Sequence, residues 1–490
     1  MTRSKQLQKL TPLILWAALI TAGAGAQEPQ QPQEPESGGK PKPAARGIPS
    51  ISEPGGTVEN TQEPTVSWQP DTSPATGLQV PTLGSPELAH SYWIPGLEFG
   101  STIQSRPLGQ QATGGWYATQ YVGGDLSLLE VWSRSQLAVN YSGGGHFTTG
   151  VQQNNGLQDN GWFQNFSLGQ TIVLNRWQIQ VFDYFSYIPD SLFGFAGGTN
   201  LASPGVGGSM GPTVGALGTS TTPNQSIYSA IWPRYSNTFA PQITYSLSRR
   251  SSITIAGSYG LLRFTESNNV DNDTVLGSAG FNYILSRKNS IGILYRFSSF
   301  HFAGEPQALG SHTASFVYTR KVAQRLGLSL SGGPQITMFR VPIGTSSRST
   351  GFSAGVTLKY AVQHGGIALS YSHGLSGGGG VLAGSNADTV TFAGNRQLSR
   401  VWSGNVNFGY ARNGSVGSAT GVQEPTFNDW FAGGGVSRPF GRNINFSVAY
   451  TARLESGNQA TCTGPGCNTD YTQNMITISL QWHTRPLVLR

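Results

Sequence analysis

The stretch NINFSVAYTARL, Asn443 to Leu454, decides the fold class of this chain. Its even-numbered positions carry apolar side chains, and its odd-numbered positions carry small or polar ones. A period of two is that of a β-strand, whereas a helix would repeat every three to four residues. The apolar side of such a strand faces either the core of a soluble sandwich or the lipid around a membrane barrel. One strand leaves both alternatives open, so the rest of the chain has to distinguish them.

The N-terminus predicts export. Three cations precede an apolar run, Leu10 to Ile20, and the sequence Ala24-Gly25-Ala26 has the small-residue pattern of a cleavage site. These features are typical of a secretory signal peptide, residues 1–26, cut after Ala26. The apolar run is too short to span a bilayer as an uncleaved anchor. The mature chain is therefore expected outside the cytoplasm, where a nucleic-acid partner is not expected.

Residues 27–90 differ in composition from the rest of the mature chain. They are rich in Pro, Gln, Glu and Gly, contain few large apolar residues, and carry eight acidic residues against three of Lys or Arg. Such a composition buries too little apolar surface to fold. We predict a disordered periplasmic leader that acts as a linker, with a regulatory tether as the alternative.

Residues 91–490 are predicted to be all-β, because alternation recurs along them and no apolar run approaches twenty residues. Ile476–Trp482 and Gly351–Tyr360 repeat the pattern of the opening stretch. One segment deviates: the outward series that begins at Trp177 would include Asp183. A β-bulge near Phe182, or a slip of phase there, would turn this carboxylate inward.

Connections of two lengths alternate along the same region. Short turns rich in Arg and Lys, such as SRRS (Ser248–Ser251) and SRKN (Ser286–Asn289), alternate with longer polar loops such as Ser376–Ala387. Short periplasmic turns opposite long extracellular loops are typical of a bacterial transmembrane barrel. Counting hairpins gives eighteen antiparallel up-and-down strands with both termini in the periplasm, and sixteen as the fallback. The apolar side of the opening stretch is therefore expected to face lipid.

Residues 91–490 thus resemble the porin-like outer-membrane β-barrels of Gram-negative-type bacteria, by architecture and without a family motif. The resemblance implies that the longest loop, Ser191 to Tyr235, folds inward and narrows a pore. It also implies four partners: outer-membrane lipid, lipopolysaccharide, the barrel assembly machinery, and a small hydrophilic solute or polysaccharide. No cofactor and no enzymatic activity are expected, since the seven histidines show no metal-ligand spacing and no catalytic motif occurs.

The inward positions predict a wet lumen. They carry mostly Ser, Thr, Asn and Gln, which are too small to fill a barrel of this size. Arg296, Lys359 and Arg453 are the clearest inward cations. They predict a weakly anion-preferring pore, and the alternative is that these cations only hydrogen-bond across the wall. Two alternatives stay open: an export conduit for an anionic exopolysaccharide, and a closed structural or adhesive surface barrel.

Charge and cysteines complete the sequence predictions. The whole chain is +7, and the acidic leader leaves the barrel region strongly cationic. Many of its cations lie in the short turns, where we expect them to meet lipid headgroups. Cys462 and Cys467 flank Thr463-Gly464-Pro465-Gly466 in the last long loop, and the oxidising compartment predicts a local disulfide between them.

Overall fold

The computed structural model describes residues 91–488, apart from 106–115, 150–159, 189–233, 266–270, 287, 304–307, 324, 341–346, 363–364, 377–383, 417–425, 442, 459–470 and 486. These residues form strands joined by turns, and no helix occurs among them. The strands are β1 Tyr92–Ser105, β2 Trp116–Val131, β3 Ser135–Thr149, β4 Asn160–Leu174, β5 Trp177–Ile188, β6 Arg234–Ser246, β7 Ser251–Phe264, β8 Asn272–Ser286, β9 Asn289–Phe302, β10 Ala308–Ala323, β11 Leu326–Arg340, β12 Ser347–Val362, β13 Gly365–Ser376, β14 Ser385–Gln397, β15 Ser403–Ser415, β16 Thr426–Phe440, β17 Ile444–Asn458, β18 Tyr471–His483 and β19 Leu487–Val488.

Each strand from β1 to β18 pairs antiparallel with the next, and β18 pairs back onto β1. The closing register runs from Gly96 opposite His483 to Gln104 opposite Met475. Closure leaves no free sheet edge, which is the condition for a strand-built wall in lipid. The two-residue β19 adds a short pairing to the start of β1. The predicted barrel of eighteen antiparallel strands is confirmed.

The connections are sorted by length, as the sequence predicts. All eight connections at one end of the barrel are short, and local residue chemistry fixes them. In the β6–β7 turn, the Ser248 hydroxyl oxygen accepts the backbone N–H groups of Arg250 and Ser251, each at 3.1 Å. In the β16–β17 turn, Gly441 has a φ of +70°, a conformation that favours glycine. The nine connections at the other end run from five residues between β9 and β10 to 45 between β5 and β6, whereas none at the short-turn end exceeds five.

The opening stretch, most of which lies in β17, shows how the faces are used. Tyr450 and Leu454 are half-exposed on the outside of the barrel, whereas the side chain of Arg453 is buried on the inside. The same alternation holds in β1, where Leu97 and Phe99 are exposed and Glu98 is buried. The apolar side of the strands therefore forms the outer wall, and the polar side lines the lumen.

Aromatic side chains bracket this outer wall on β5 and β6. The rings of Trp177 and Tyr245 lie 4.4 Å apart near the short-turn end, and those of Tyr187 and Tyr235 lie 4.6 Å apart near the other end. At the usual strand rise and tilt, the stretch of β5 from Trp177 to Tyr187 covers about 25 Å along the barrel axis. That height matches the lipid-facing band of an outer-membrane barrel.

The expectation of a bulge or phase slip near Phe182 is wrong. The register of β5 with β4 and with β6 runs through this residue without a shift. Asp183 therefore remains on the outer wall, where Asn237 Nδ2 of β6 donates a hydrogen bond to its Oδ1 at 3.1 Å. A neighbouring amide, not a change of backbone phase, accommodates this carboxylate.

Within the residues that the structure describes, no helix has the length and apolar character needed to cross a membrane.

Candidate functional site: the inner wall of the barrel

Small hydroxyl side chains cover much of the inner wall and pair across neighbouring strands. Oxygen–oxygen distances are 2.6 to 3.2 Å in four such pairs, Thr102–Thr477, Thr244–Thr254, Ser403–Ser437 and Ser447–Ser479. Because each hydroxyl both donates and accepts, such pairs satisfy one another without a charge. The result is a polar, nearly neutral surface, as the alternation predicts for the inward positions.

Larger polar groups meet on the inner wall around β1, beside the seam with β18. The Tyr121 hydroxyl of β2 donates to Glu98 Oε1 of β1 at 3.2 Å, and the Tyr121 ring lies against Gly100. One step closer to the short turns, His483 Nδ1 of β18 lies 3.4 Å from Asp125 Oδ2 of β2. This contact passes over Gly96 of β1, where a Cβ atom would collide with both side chains. Glycine at these two positions lets side chains reach over β1 and tie three strands together.

Arg453 lies on the inner wall, where its charge is paired. Its Nε donates to Asp429 Oδ2 of β16 at 2.8 Å, and its Nη2 contacts the same oxygen. The side chains of Arg453 and Asp429 are almost completely buried. A buried ion pair attracts mobile ions far less than an isolated cation does, because the two charges cancel at a distance.

Arg296 and Lys359, the other two predicted cations, also lie on the inner wall. Arg296 of β9 is partly buried between its register neighbours Ser278 and Thr313, and makes no ion pair within the described part of the chain. Lys359 of β12 is exposed, and its register neighbours are Gly327 and Ala368. The structure thus brings none of the three predicted cations together, since they lie on β9, β12 and β17.

The inner wall turns apolar near the long-connection end of β9 to β11. Phe300, Phe302, Leu309 and Phe339 form a buried cluster there, and Leu375 and Val416 pack against it. Gly384, just before β14, lies so close to Leu309 that no Cβ would fit, and its φ of +93° favours glycine. The chain before β14 therefore approaches β10 on this side of the barrel. The inward positions do not stay small and polar along their whole length, in contrast to the sequence prediction.

Three inward carboxylates were missed by the sequence prediction: Glu98, Asp125 and Asp429. Their alternation is visible in the sequence, since Glu98 stands between Leu97 and Phe99. The sequence predicts β1 from residue 96 and β2 from residue 124, because Pro95 and the Gly123-Gly124 pair interrupt the pattern; both predicted strands still contain their carboxylates. In the structure Pro95 pairs with Leu126 inside a continuous ladder.

Several predicted features lie outside the described residues: the cleavage site after Ala26, the leader 27–90, the two cysteines Cys462 and Cys467, and nearly all of the loop from Ser191 to Tyr235. Within the described part of the chain, no group of three or more His, Cys, Asp or Glu residues is arranged to hold a metal ion.

A closed wall of eighteen strands, apolar and aromatic outside and polar inside, defines a porin-like transmembrane β-barrel of the bacterial outer membrane. No protein-family model matches this chain, and no curated protein matches it.

Solved structures with a similar arrangement include the following three. The outer membrane protein OpdK of Pseudomonas aeruginosa is 9% identical, with 80% of this chain and 99% of that chain covered and a TM-score of 0.41. OccAB4 of Acinetobacter baumannii is 8% identical over 82% and 100%, with a TM-score of 0.41. A BenF-like porin of Pseudomonas fluorescens is 9% identical over 81% and 99%, with a TM-score of 0.42.

Proposed function

We propose that this barrel is an outer-membrane pore for small hydrophilic solutes. The observation that carries the proposal is the inner wall of paired hydroxyl groups, such as Thr102–Thr477 and Ser447–Ser479. These side chains are too short to reach across a barrel of eighteen strands, so they leave room for water. Neutral hydroxyls also replace part of the hydration of a polar solute without binding it tightly.

A weak preference for anions is the finer part of the proposal, and it rests on Arg296 and Lys359. Arg453 contributes little, because Asp429 compensates its charge inside the wall. Glu98 and Asp125 belong to the buried seam contacts and are shielded from the lumen. Lys359 is the exposed one of the two remaining cations. Fixed cations beside a narrow wet path attract anions and repel cations.

Single-channel recording in planar bilayers tests both parts. The wild-type chain is expected to conduct, with a reversal potential in a salt gradient that shows slight anion preference. The double variant Arg296→Gln and Lys359→Gln should conduct with that preference reduced toward zero. Arg412→Gln is the matched control, since Arg412 is an exposed arginine of the outer wall and should leave selectivity unchanged. An unchanged reversal potential in the double variant would refute the anion preference.

The loop from Ser191 to Tyr235 is proposed to narrow the pore, as the resemblance to porins implies. Deleting its middle should raise the single-channel conductance, because no other connection is long enough to occupy the lumen. Block of the current by an anionic oligosaccharide would instead favour the polysaccharide conduit.

A closed surface barrel is the second candidate, favoured by the apolar cluster of Phe300, Phe302, Leu309 and Phe339 near one end of the lumen. Buried apolar side chains at a pore mouth exclude water from that part of the path. If the purified chain shows no conductance with or without the long loop, the closed barrel replaces the pore.

Three further proposals concern processing and partners. Cleavage after Ala26 is tested by N-terminal sequencing of the mature chain.

A disulfide between Cys462 and Cys467 is tested by mass spectrometry without reductant, and two free thiols would refute it. Lipopolysaccharide and the barrel assembly machinery are proposed partners on the strength of the outer-membrane fold, and co-purification from the cell envelope tests them.

A further inference from the structure

Within the part of the chain that the structure describes, the short turns carry seven exposed cations. They lie in six of the eight short turns, and we call them the cationic rim. Its members are Arg134, Arg176, Arg249, Arg250, Lys288, Arg325 and Arg400. No Asp or Glu occurs in the short turns, by sequence. The cationic rim is therefore a ring of positive charges contributed by successive short turns.

The cationic rim has no acidic partner within the part of the chain that the structure describes. At the other end of the barrel a partly buried cation does have acidic partners: Arg263 Nη2 lies 2.6 Å from Asp273 Oδ1, and its Nε lies 4.0 Å from Asp271 Oδ2. Like charges on adjacent turns repel one another, and the repulsion falls when an anion binds between them. The rim is thus a surface suited to an anionic partner.

The segment next to β1 in sequence has the opposite charge. Residues 48–90 contain Glu53, Glu59, Glu63, Asp71 and Glu87 and no Lys or Arg. The three basic residues of the leader all precede this segment. Its last residue is two positions before Tyr92, the first residue of β1, which starts at the short-turn end. A purely acidic segment is therefore covalently attached beside the cationic rim.

We infer that the cationic rim binds the acidic segment 48–90 of the same chain. The contacts are charge-assisted hydrogen bonds between guanidinium or ammonium groups of the turns and carboxylates of the segment. The segment then remains beside the periplasmic mouth of the barrel. This inference is independent of whether the lumen conducts.

Reach and local concentration favour an intramolecular partner. Forty-three residues extend to at most about 150 Å, whereas the rim of an eighteen-stranded barrel measures roughly 110 Å around at usual strand spacing and tilt. An unfolded segment of this length has a root-mean-square span of about 36 Å, comparable with the barrel's diameter. Tethering therefore gives the five carboxylates an effective concentration near the rim on the order of millimolar.

Anionic lipid headgroups are the competing occupant of the rim. They would meet the turns at the inner surface of the membrane, as the sequence alone suggests. The attraction of headgroups to the cationic rim does not depend on the acidic segment. Changing the lipid composition therefore distinguishes the two occupants. The experiment therefore uses full-length mature protein in nanodiscs of zwitterionic lipid, in which lipid supplies no net negative charge.

Cleavage by a Glu-specific protease reports directly on the acidic segment, because four of its five acids are glutamates. In low salt we expect slow cleavage after Glu59 and Glu87, the two glutamates of the segment that are not followed by proline. In 0.5 M NaCl, where the Debye length is about 4 Å, cleavage should accelerate roughly tenfold. Glu266, which precedes Ser267 in the β7–β8 connection at the opposite end, serves as the internal reference for protease activity.

Two matched double variants assign the effect to the rim. Arg249→Gln with Arg250→Gln should raise the low-salt cleavage rate by roughly two- to tenfold, from the loss of two exposed ion pairs. Arg348→Gln with Arg412→Gln removes two exposed arginines elsewhere on the barrel and should leave the rate unchanged. Equal rates in wild type and the rim variant would overturn the inference. So would protection that appears only when anionic lipid is added, which would assign the rim to headgroups.

A zero-length carbodiimide cross-link provides a second measurement. Lys288 is the one lysine of the cationic rim, and a carbodiimide joins an ammonium to a carboxylate only when the two are in contact. Mass spectrometry of the full-length protein should find Lys288 joined to an acid of residues 48–90 in low salt and not in 0.5 M NaCl. Absence of this link in low salt, with other links present, would contradict the inference.

Discussion

Arg453 shows that a residue's position and its charge have separate consequences. Alternation along the opening stretch correctly places its side chain on the inner wall. Its partner Asp429 lies on the neighbouring strand, and the sequence of neither strand alone predicts that the two side chains meet. The register of β16 with β17 sets Asp429 opposite Glu455, two positions from Arg453. Pairing of this kind depends on strand register, which local sequence patterns do not fix.

Breaking the Arg453–Asp429 pair should be costly. In Asp429→Ala the guanidinium stays buried without a counter-charge, and we expect a loss of about 3–5 kcal/mol in the free energy of unfolding. Urea titration in detergent, followed by tryptophan fluorescence, measures it. The double variant Asp429→Leu with Arg453→Met should recover most of the loss, because an apolar pair leaves no buried charge. A single variant as stable as wild type would show that water reaches the pair.

Gly100 offers a second test at this scale. The Tyr121 ring lies against it, so Gly100→Ala should push the ring away and break the hydrogen bond from Tyr121 to Glu98. We expect a loss of about 1–3 kcal/mol, the usual cost of overpacking. Gly351→Ala is the matched control, since Gly351 is also a strand glycine and nothing lies within 4 Å of its added Cβ. Equal unfolding midpoints for the two variants would contradict the seam contact.

Among the elements, β5 carries the most instructive disagreement with the sequence. Its outward series runs from Trp177 through Asp183 to Tyr187, and a charge there seemed to require a bulge. The structure keeps the ladder intact and supplies Asn237 from β6 instead. Strand limits and faces were largely predictable because alternation is local, and the predicted limits fail mainly at the starts of β1 and β2. Partners across strands were not predictable, since they depend on how far each strand slides along its neighbour.

Asp183→Leu should stabilise the barrel, because a carboxylate on the lipid-facing wall is replaced by an apolar side chain. We expect a gain of about 1–2 kcal/mol, somewhat below the values for basic residues near the midplane. Asp388→Leu is the contrasting variant, since Tyr371 and His373 both hydrogen-bond to Asp388 Oδ1, at 3.0 and 2.8 Å. That variant should lose stability. A loss in Asp183→Leu as well would show that the hydrogen bond from Asn237 stabilises the barrel more than an apolar side chain at this position does.

The whole molecule has two unlike ends, and the sequence predicted both. One end carries short turns and the cationic rim, and the other carries the long connections. Strand number and closure were also predictable, because an even count places both termini at one end. The apolar cluster around Leu309 was not predictable from the sequence. It depends on how the chain just before β14 approaches β10, which is four strands away in the barrel.

Protease applied to intact cells tests the orientation of the barrel. The connection between β13 and β14, residues 377–384, should be cut, because long loops face the medium. The turns SRKN (Ser286–Asn289) and VAQR (Val322–Arg325) should be cut only after the outer membrane is opened. Peptide mapping by mass spectrometry separates the two outcomes. Cleavage at either turn in sealed cells would reverse the orientation.

The seam between β1 and β18 also has a consequence for how the barrel is made. Thr102 and Thr477 share a hydrogen bond although 375 positions separate them in the chain. The entropy of closing a loop grows with its length, and contacts this distant in sequence slow folding. Hairpins of neighbouring strands involve only local contacts, so they can form before the later strands have folded. The first strand, in contrast, must wait with an open edge until the last one arrives, and closure of the seam is the step at which a truncated chain fails.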